Sequence, residues 1–200
     1  MTDHFALLQE ARRPWVDPDE LKQKFLALSS VVHPDRVHQA PTADRQAADR
    51  RYAELNAAYN FLREPKDCLR HLLELEIGAR AAEVQSVPAG LTETAFAIGQ
   101  LCRTADALVR DHQRATSPLL QVSLFERAQA EIERLTAARD GIRERRRGLL
   151  AELQALTPGW DAPAAAADRP WGRLEEIQRL LGYFDRWLQQ LDERIFRLSF

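Results

Sequence analysis

The stretch Asp17-Pro18-Asp19-Glu20-Leu21-Lys22-Gln23-Lys24-Phe25-Leu26-Ala27-Leu28-Ser29-Ser30-Val31-Val32-His33-Pro34-Asp35 decides how the chain is read. It opens with an aspartate before a proline and a glutamate three residues on, the composition of a capped helix start with proline at the first helical position. Leu21, Phe25, Leu28 and Val32 then recur at helical spacing and form one apolar stripe. Pro34 ends the helix, because it lacks an N–H and pushes the preceding residue out of the helical region.

Outward from this stretch the same punctuation continues. Towards the N-terminus, Phe5 to Leu8 reads as a short helix offering Phe5 and Leu8 to the same core. Beyond Pro34, a polar loop through Gln39, Pro41 and Thr42 leads to a second helix, with Ala48, Tyr52, Leu55, Tyr59 and Leu62 on one face. That helix stops before Pro65. A further helix, Cys68 to Ile77, ends at Gly78, the residue suited to the left-handed position after a helix. Residues 79–90, with Ser86, Pro88 and Gly90, form the expected linker.

Three longer helical patterns follow: about Leu91 to His112, Ser117-Pro118 to about Leu156, and about Trp171 to Leu198. In the last, Ile177, Leu181, Phe184, Leu188, Leu191, Ile195 and Leu198 keep the seven-residue spacing of a bundle seam. Thr157 to Pro170 is rich in alanine and proline and reads as an extended loop. No window alternates with period two, so the expected fold is all-α. Its divisions are residues 1–78, a linker at 79–90, and a three-helix bundle at 91–200.

Bulk properties narrow the function. The chain is 45% hydrophobic and 29% charged, with a formal net charge of −2. That composition favours a folded, soluble chain and gives no overall drive towards nucleic acid or an anionic membrane. The two cysteines, Cys68 and Cys102, lie far apart and form neither a disulfide framework nor a zinc motif, which suits a reducing cytoplasm. The first residues, Met1-Thr2-Asp3-His4, do not read as a secretory signal. No apolar run approaches the roughly 20 residues that span a bilayer. A Gly-rich phosphate loop, a nucleophile elbow and a paired-histidine motif are all missing, so the chain is not expected to be an enzyme or to need a cofactor. His33 and His38 lack a third nearby ligand, so no metal site is expected. The run Arg143, Arg145, Arg146 and Arg147 is interrupted by Glu144 and reads as a solvated helix face rather than a nucleic-acid site.

His33-Pro34-Asp35 lies between two amphipathic helices, and Leu55-Asn56-Ala57-Ala58-Tyr59 follows in the second. In this order, over about residues 3–76, the chain resembles a J domain. Independently of the family, Pro34 would present its neighbours from a preformed turn, and Asp35 could accept a bidentate, charge-assisted bond from an arginine of another protein. His33 could fix the loop or titrate near neutrality. The resemblance implies docking on a DnaK/HscA-type chaperone and acceleration of ATP hydrolysis there, with Lys22, Lys24 and Arg36 steering the encounter. Ser29 and Ser30 stand where J domains often carry basic residues, and Val32 where tyrosine is common. A solvated helix face is the plain alternative for Lys22 and Lys24.

The rest of the chain resembles the HscB co-chaperones, through Phe61-Leu62-Arg63-Glu64-Pro65, Arg70-His71-Leu72-Leu73-Glu74-Leu75, Thr94-Ala95-Phe96 and Leu180-Leu181-Gly182-Tyr183-Phe184-Asp185. The resemblance implies that an iron–sulfur scaffold protein of the IscU type is held on the bundle. Carried over from Thr94-Ala95-Phe96, the client face falls on Ala97, Ile98, Leu101, Cys102 and Ala105, with Tyr183 on the last helix. Cys102 and Ala105 stand where the family shows glutamates. Periodicity fits Ile98, Leu101 and Tyr183 equally to docking surface and to bundle core. A client outside iron–sulfur assembly, or a purely structural helical adaptor, remains the alternative reading.

Overall fold

The computed structural model describes residues 2–33, 41–78, 88–160 and 169–199. Among them are seven α-helices and a single 3₁₀ turn, Ala89–Leu91: α1 (His4–Leu7), α2 (Pro18–Val31), α3 (Thr42–Leu62), α4 (Pro65–Ile77), α5 (Thr92–Arg114), α6 (Pro118–Leu156) and α7 (Trp171–Leu198). The fold is all-α, as the patterning requires.

Local chemistry sets the ends. The Asp17 carboxylate accepts from the backbone N–H groups of Asp19 and Glu20 at 2.9 and 3.0 Å, and Pro18 takes the first helical position. Pro65 starts α4 three residues earlier than its apolar pattern suggested, and Gly78 ends it at φ 65°, a left-handed conformation that a side chain would strain.

The chain divides into two compact units, and the division differs from the one read from sequence. One unit comprises Met1–Ala82 together with Leu150–Gln178; the other comprises Glu83–Leu149 together with Arg179–Phe200. Periodicity along a helix cannot reveal such a partition, because α6 and α7 are each continuous across it.

In the first unit, α3 packs against α1, α2 and α4. Phe5, Leu8, Leu21, Leu55, Leu69 and Leu72 are fully buried and form its core. Cys68 is buried there too, and burial pushes its thiol up to about 12, with the carboxylates of Glu10 and Asp67 adding to the shift. His71 is also buried; its Nε2 accepts the backbone N–H of His4 at 3.1 Å, which fixes the neutral ring with its proton on Nδ1. The ring is stacked on Phe5 at 5.6 Å. Leu150–Gln178 is tied in through Arg169, which lies over Trp160 at 4.6 Å and Trp171 at 5.7 Å and reaches Glu76 at 3.4 Å. Glu76 also receives Arg12 at 3.0 Å.

In the second unit, the seam of α6 runs through Leu124, Ala128, Leu135, Ile142 and Leu149, all buried. Glu131 occupies the same seam, 3% exposed, and its Oε1 has no hydrogen-bond donor among the described residues. Burial raises its carboxyl above the usual range, against the pull of Arg134. Along the rim, Arg146 bonds Asp185 at 2.8 Å and Arg139 bonds Asp192 at 3.3 Å, while Asp106 accepts from Arg194 and Arg197 at 3.2 and 3.4 Å. The arginine run of α6 is largely consumed in this way, since Arg143 also reaches Asp192 and Arg147 pairs with Glu144.

Candidate functional site

The His-Pro-Asp segment joins α2 to α3. Pro34, Asp35 and Arg36 lie outside the described residues; the helices on either side meet through two aromatic pairs. Phe25 stacks on Tyr59 at 4.6 Å near the middle of α2. Beyond the end of α2, the ring of His33 meets Tyr52 edge-on at 5.6 Å. As the chain advances along α2 its partner recedes along α3, so the helices are antiparallel, and His33 is seated against α3 at the point where the chain turns. The half-buried aromatic pairs fix the pitch of the hairpin.

The basic residues of α2 separate. Lys22 is exposed. Lys24 is engaged at home: its ammonium lies 2.8 Å from the Glu10 carboxylate and donates to the Gln9 carbonyl at 3.3 Å. Ser29 is buried and donates back to the Leu26 carbonyl at 3.3 Å, whereas Ser30 is exposed. A long basic side chain at position 29 would therefore have to be accommodated inside the hairpin.

The expected client face is not one exposed surface. Ile98, Cys102 and Ala105 are buried because they continue the inward stripe that also contains Leu91, Leu108 and Val109. Tyr183 is buried as well, 5.7 Å from Trp187. Leu101 is half-buried and Ala97 is exposed. Burial also raises the Cys102 thiol, which behaves as a small core hydrophobe. The large apolar residue that α5 does present to solvent is Phe96, 64% exposed. The sequence contains the signal: Phe96 falls two residues before Ile98, off the stripe, where an apolar side chain has no core to join.

Among the described residues no group of three metal-ligating side chains forms, and no helix is long and apolar enough to cross a membrane.

An antiparallel α2–α3 hairpin whose connecting sequence contains His33-Pro34-Asp35, in a chain whose second unit is a helical bundle, defines the class as an all-α protein with a J-domain-like hairpin. Comparisons agree. Over 179 residues, 89% of this chain and 91% of the relative, it is 30% identical to a co-chaperone protein HscB homolog of Aeromonas hydrophila. It is 40% identical over 72 residues to an HscB homolog of Bordetella pertussis, a match spanning 36% of this chain and 42% of that relative's length. The chaperone HscB from Vibrio cholerae shares the fold, with a TM-score of 0.62 over 96% of each chain at 20% identity. No protein-family model matches the chain. The chain belongs to the HscB co-chaperone family.

Proposed function

We propose that this chain is a J-domain co-chaperone of iron–sulfur cluster assembly, working in the cytoplasm. It stimulates the ATPase of a DnaK/HscA-type chaperone through His33, Pro34 and Asp35, and hands over a client held by the second unit. The observation that carries the reading is the antiparallel α2–α3 hairpin, locked by Phe25–Tyr59 and His33–Tyr52 and joined through His-Pro-Asp.

Proline restricts the backbone at the turn, so the entropy of ordering the flanking side chains is partly spent before docking. Asp35 then offers a carboxylate to an arginine of the chaperone, a charge-assisted bond of about 2 kcal/mol, or roughly thirtyfold in affinity. Lys22 and Arg36 steer the encounter electrostatically, which acts mainly on the association rate. Lys24 contributes less than its position suggests, because Glu10 already neutralises it. Bond cleavage takes place in the partner, so this chain supplies no catalytic group and no cofactor.

Single-turnover ATP hydrolysis by the chaperones of the same cell tests the reading. The wild-type chain should accelerate it and Asp35→Asn should not. A wild-type chain that leaves every such chaperone unaffected would falsify it.

The iron–sulfur scaffold is the proposed client. The burial of Ile98, Cys102, Ala105 and Tyr183 favours a second reading, in which the client lies outside iron–sulfur assembly. Affinity capture with the scaffold separates the two: intact ATPase stimulation without scaffold binding selects the second.

A further inference from the structure

The start of α6 is apolar on two opposite sides. Leu124 and Ala128 are buried, in line with the seam that continues through Leu135 and Ile142. Leu119, Val122 and Phe125 recur at intervals of three, and helical geometry puts them on the face turned away from that seam. They are 82%, 58% and 47% exposed. Beyond Phe125 the same outward face turns polar, through Gln129, Glu133, Asp140, Glu144 and Arg147, all exposed. The outward stripe is therefore confined to the first turns of the helix. It has no core of its own to join, and contiguous exposed apolar side chains on a folded chain mark a contact surface.

The layout of the stripe is self-complementary. Val122 has a large apolar residue three positions away on either side, and an isologous pair brings one patch against itself. With the two helices antiparallel and Val122 on the two-fold axis, Leu119 of each copy is level with Phe125 of the other. Glu126, four residues after Val122, comes level with Pro118 of the other copy, four residues before it. There the first turn of α6 presents the positive end of the helix dipole. A parallel pair would instead set Glu126 against Glu126. As far as Glu133 the outward face holds no basic side chain, so an anionic bilayer or a nucleic acid is the weaker fit.

We infer that the outward face of the first turns of α6 pairs antiparallel with the same face of a second copy of this chain, centred on Val122. The inference goes beyond the co-chaperone reading and does not depend on it. Three apolar side chains from each copy cover less than the roughly 1,200 Å² at which standard stable interfaces begin, so the pair is weak and reversible.

Sedimentation equilibrium of the full chain tests it. The weight-average mass should rise from 22.8 kDa towards twice that value between about 5 and 500 μM, with a dissociation constant of about 100 μM. Val122→Asp sets two carboxylates against each other on the axis and should hold the chain at the single-copy mass. Leu119→Ser with Phe125→Ser removes the flanking contacts, should do the same, and serves if the aspartate variant loses helical circular dichroism. Orientation is read from cysteines introduced one at a time and treated with oxidised glutathione. Val122→Cys should cross-link into a covalent dimer. Gln129→Cys should not, because in the antiparallel pair the two copies of that position stand about 21 Å apart along the helix axis. A wild-type mass that stays constant over the range overturns the inference and leaves the stripe to a different protein. Association undiminished in the folded Val122→Asp or double-serine variant also overturns it, by placing the contact elsewhere. Cross-linking at both cysteines overturns the antiparallel arrangement in favour of a parallel one.

Discussion

The two units hold their helices together by different means. In the first, polar groups reach across long stretches of chain into the protein: the His4 amide to buried His71, and Glu76 shared between Arg12 and Arg169 under two indole rings. In the second, an apolar seam does the holding, and arginine–carboxylate pairs decorate its rim. The His4–His71 tie is costly to break, because a buried ring acceptor would be left unsatisfied, whereas Glu76 and its two arginines are as open to solvent as the rim pairs of the second unit. Exposed pairs contribute a few tenths of a kcal/mol and can be exchanged. The first unit thus has a buried polar tie at His71 that its core depends on, while the rim pairs of the second can be exchanged at small cost.

The largest expected effect falls on the first unit. Phe5→Ala empties a fully buried site between α1 and His71 and should cost about 3–5 kcal/mol in urea unfolding. A loss under about 1 kcal/mol would mean that this core is not the tightly determined one described.

Glu131→Leu should act in the opposite direction, raising stability at pH 7 by about 1–3 kcal/mol, because it removes from the seam a buried carboxylate held only by Arg134 through Oε2, with no donor to Oε1 among the described residues. The folded-state pKa of Glu131 is raised, so the acid's favourable contribution is complete below the ordinary glutamate pKa and is lost as pH rises through the folded value. The gain from leucine should therefore shrink towards pH 4. Calorimetry showing the same gain at both pH values would contradict the burial argument.

His71 gives a smaller effect. Burial lowers its pKa, and that of His4, so the unfolded chain binds protons more readily on acidification. Stability should hold above about pH 6.5, the ordinary histidine value, and decline as pH falls below it towards the folded values. His71→Gln, which can still accept the His4 amide, should flatten part of that slope in urea titrations at pH 7.5 and 5.5.

Smallest of all, a double-mutant cycle on Arg139 and Asp192 should return a coupling of about 0.2–1 kcal/mol. A coupling several times larger would erase the contrast between the units.

Much of this architecture was legible in the sequence, because helix ends are local. Asp17-Pro18, Gly78, Ser117-Pro118 and Trp171 mark boundaries through caps and backbone restrictions that act within a few residues. The seam of α7 was readable for the same reason, since seven-residue spacing needs no partner to be recognised. Two features depend on tertiary neighbours and left no such mark. Leu150–Gln178 belongs to the first unit, where Arg169 meets Glu76, a contact between residues far apart in the chain. The burial of Ser29, His71 and Glu131 runs against residue type. The exposure of Phe96 was accessible from helical spacing, since it falls off the stripe of Ile98, Cys102 and Ala105.

Cys68 and Cys102 supply a practical tool. Both thiols are buried, and burial shifts both away from the reactive thiolate form. Maleimide dyes should pass them by in the folded chain, so a cysteine introduced at exposed Gln100 can be labelled alone without deleting either native residue. Label that does arrive at the native pair keeps time on how often each unit opens.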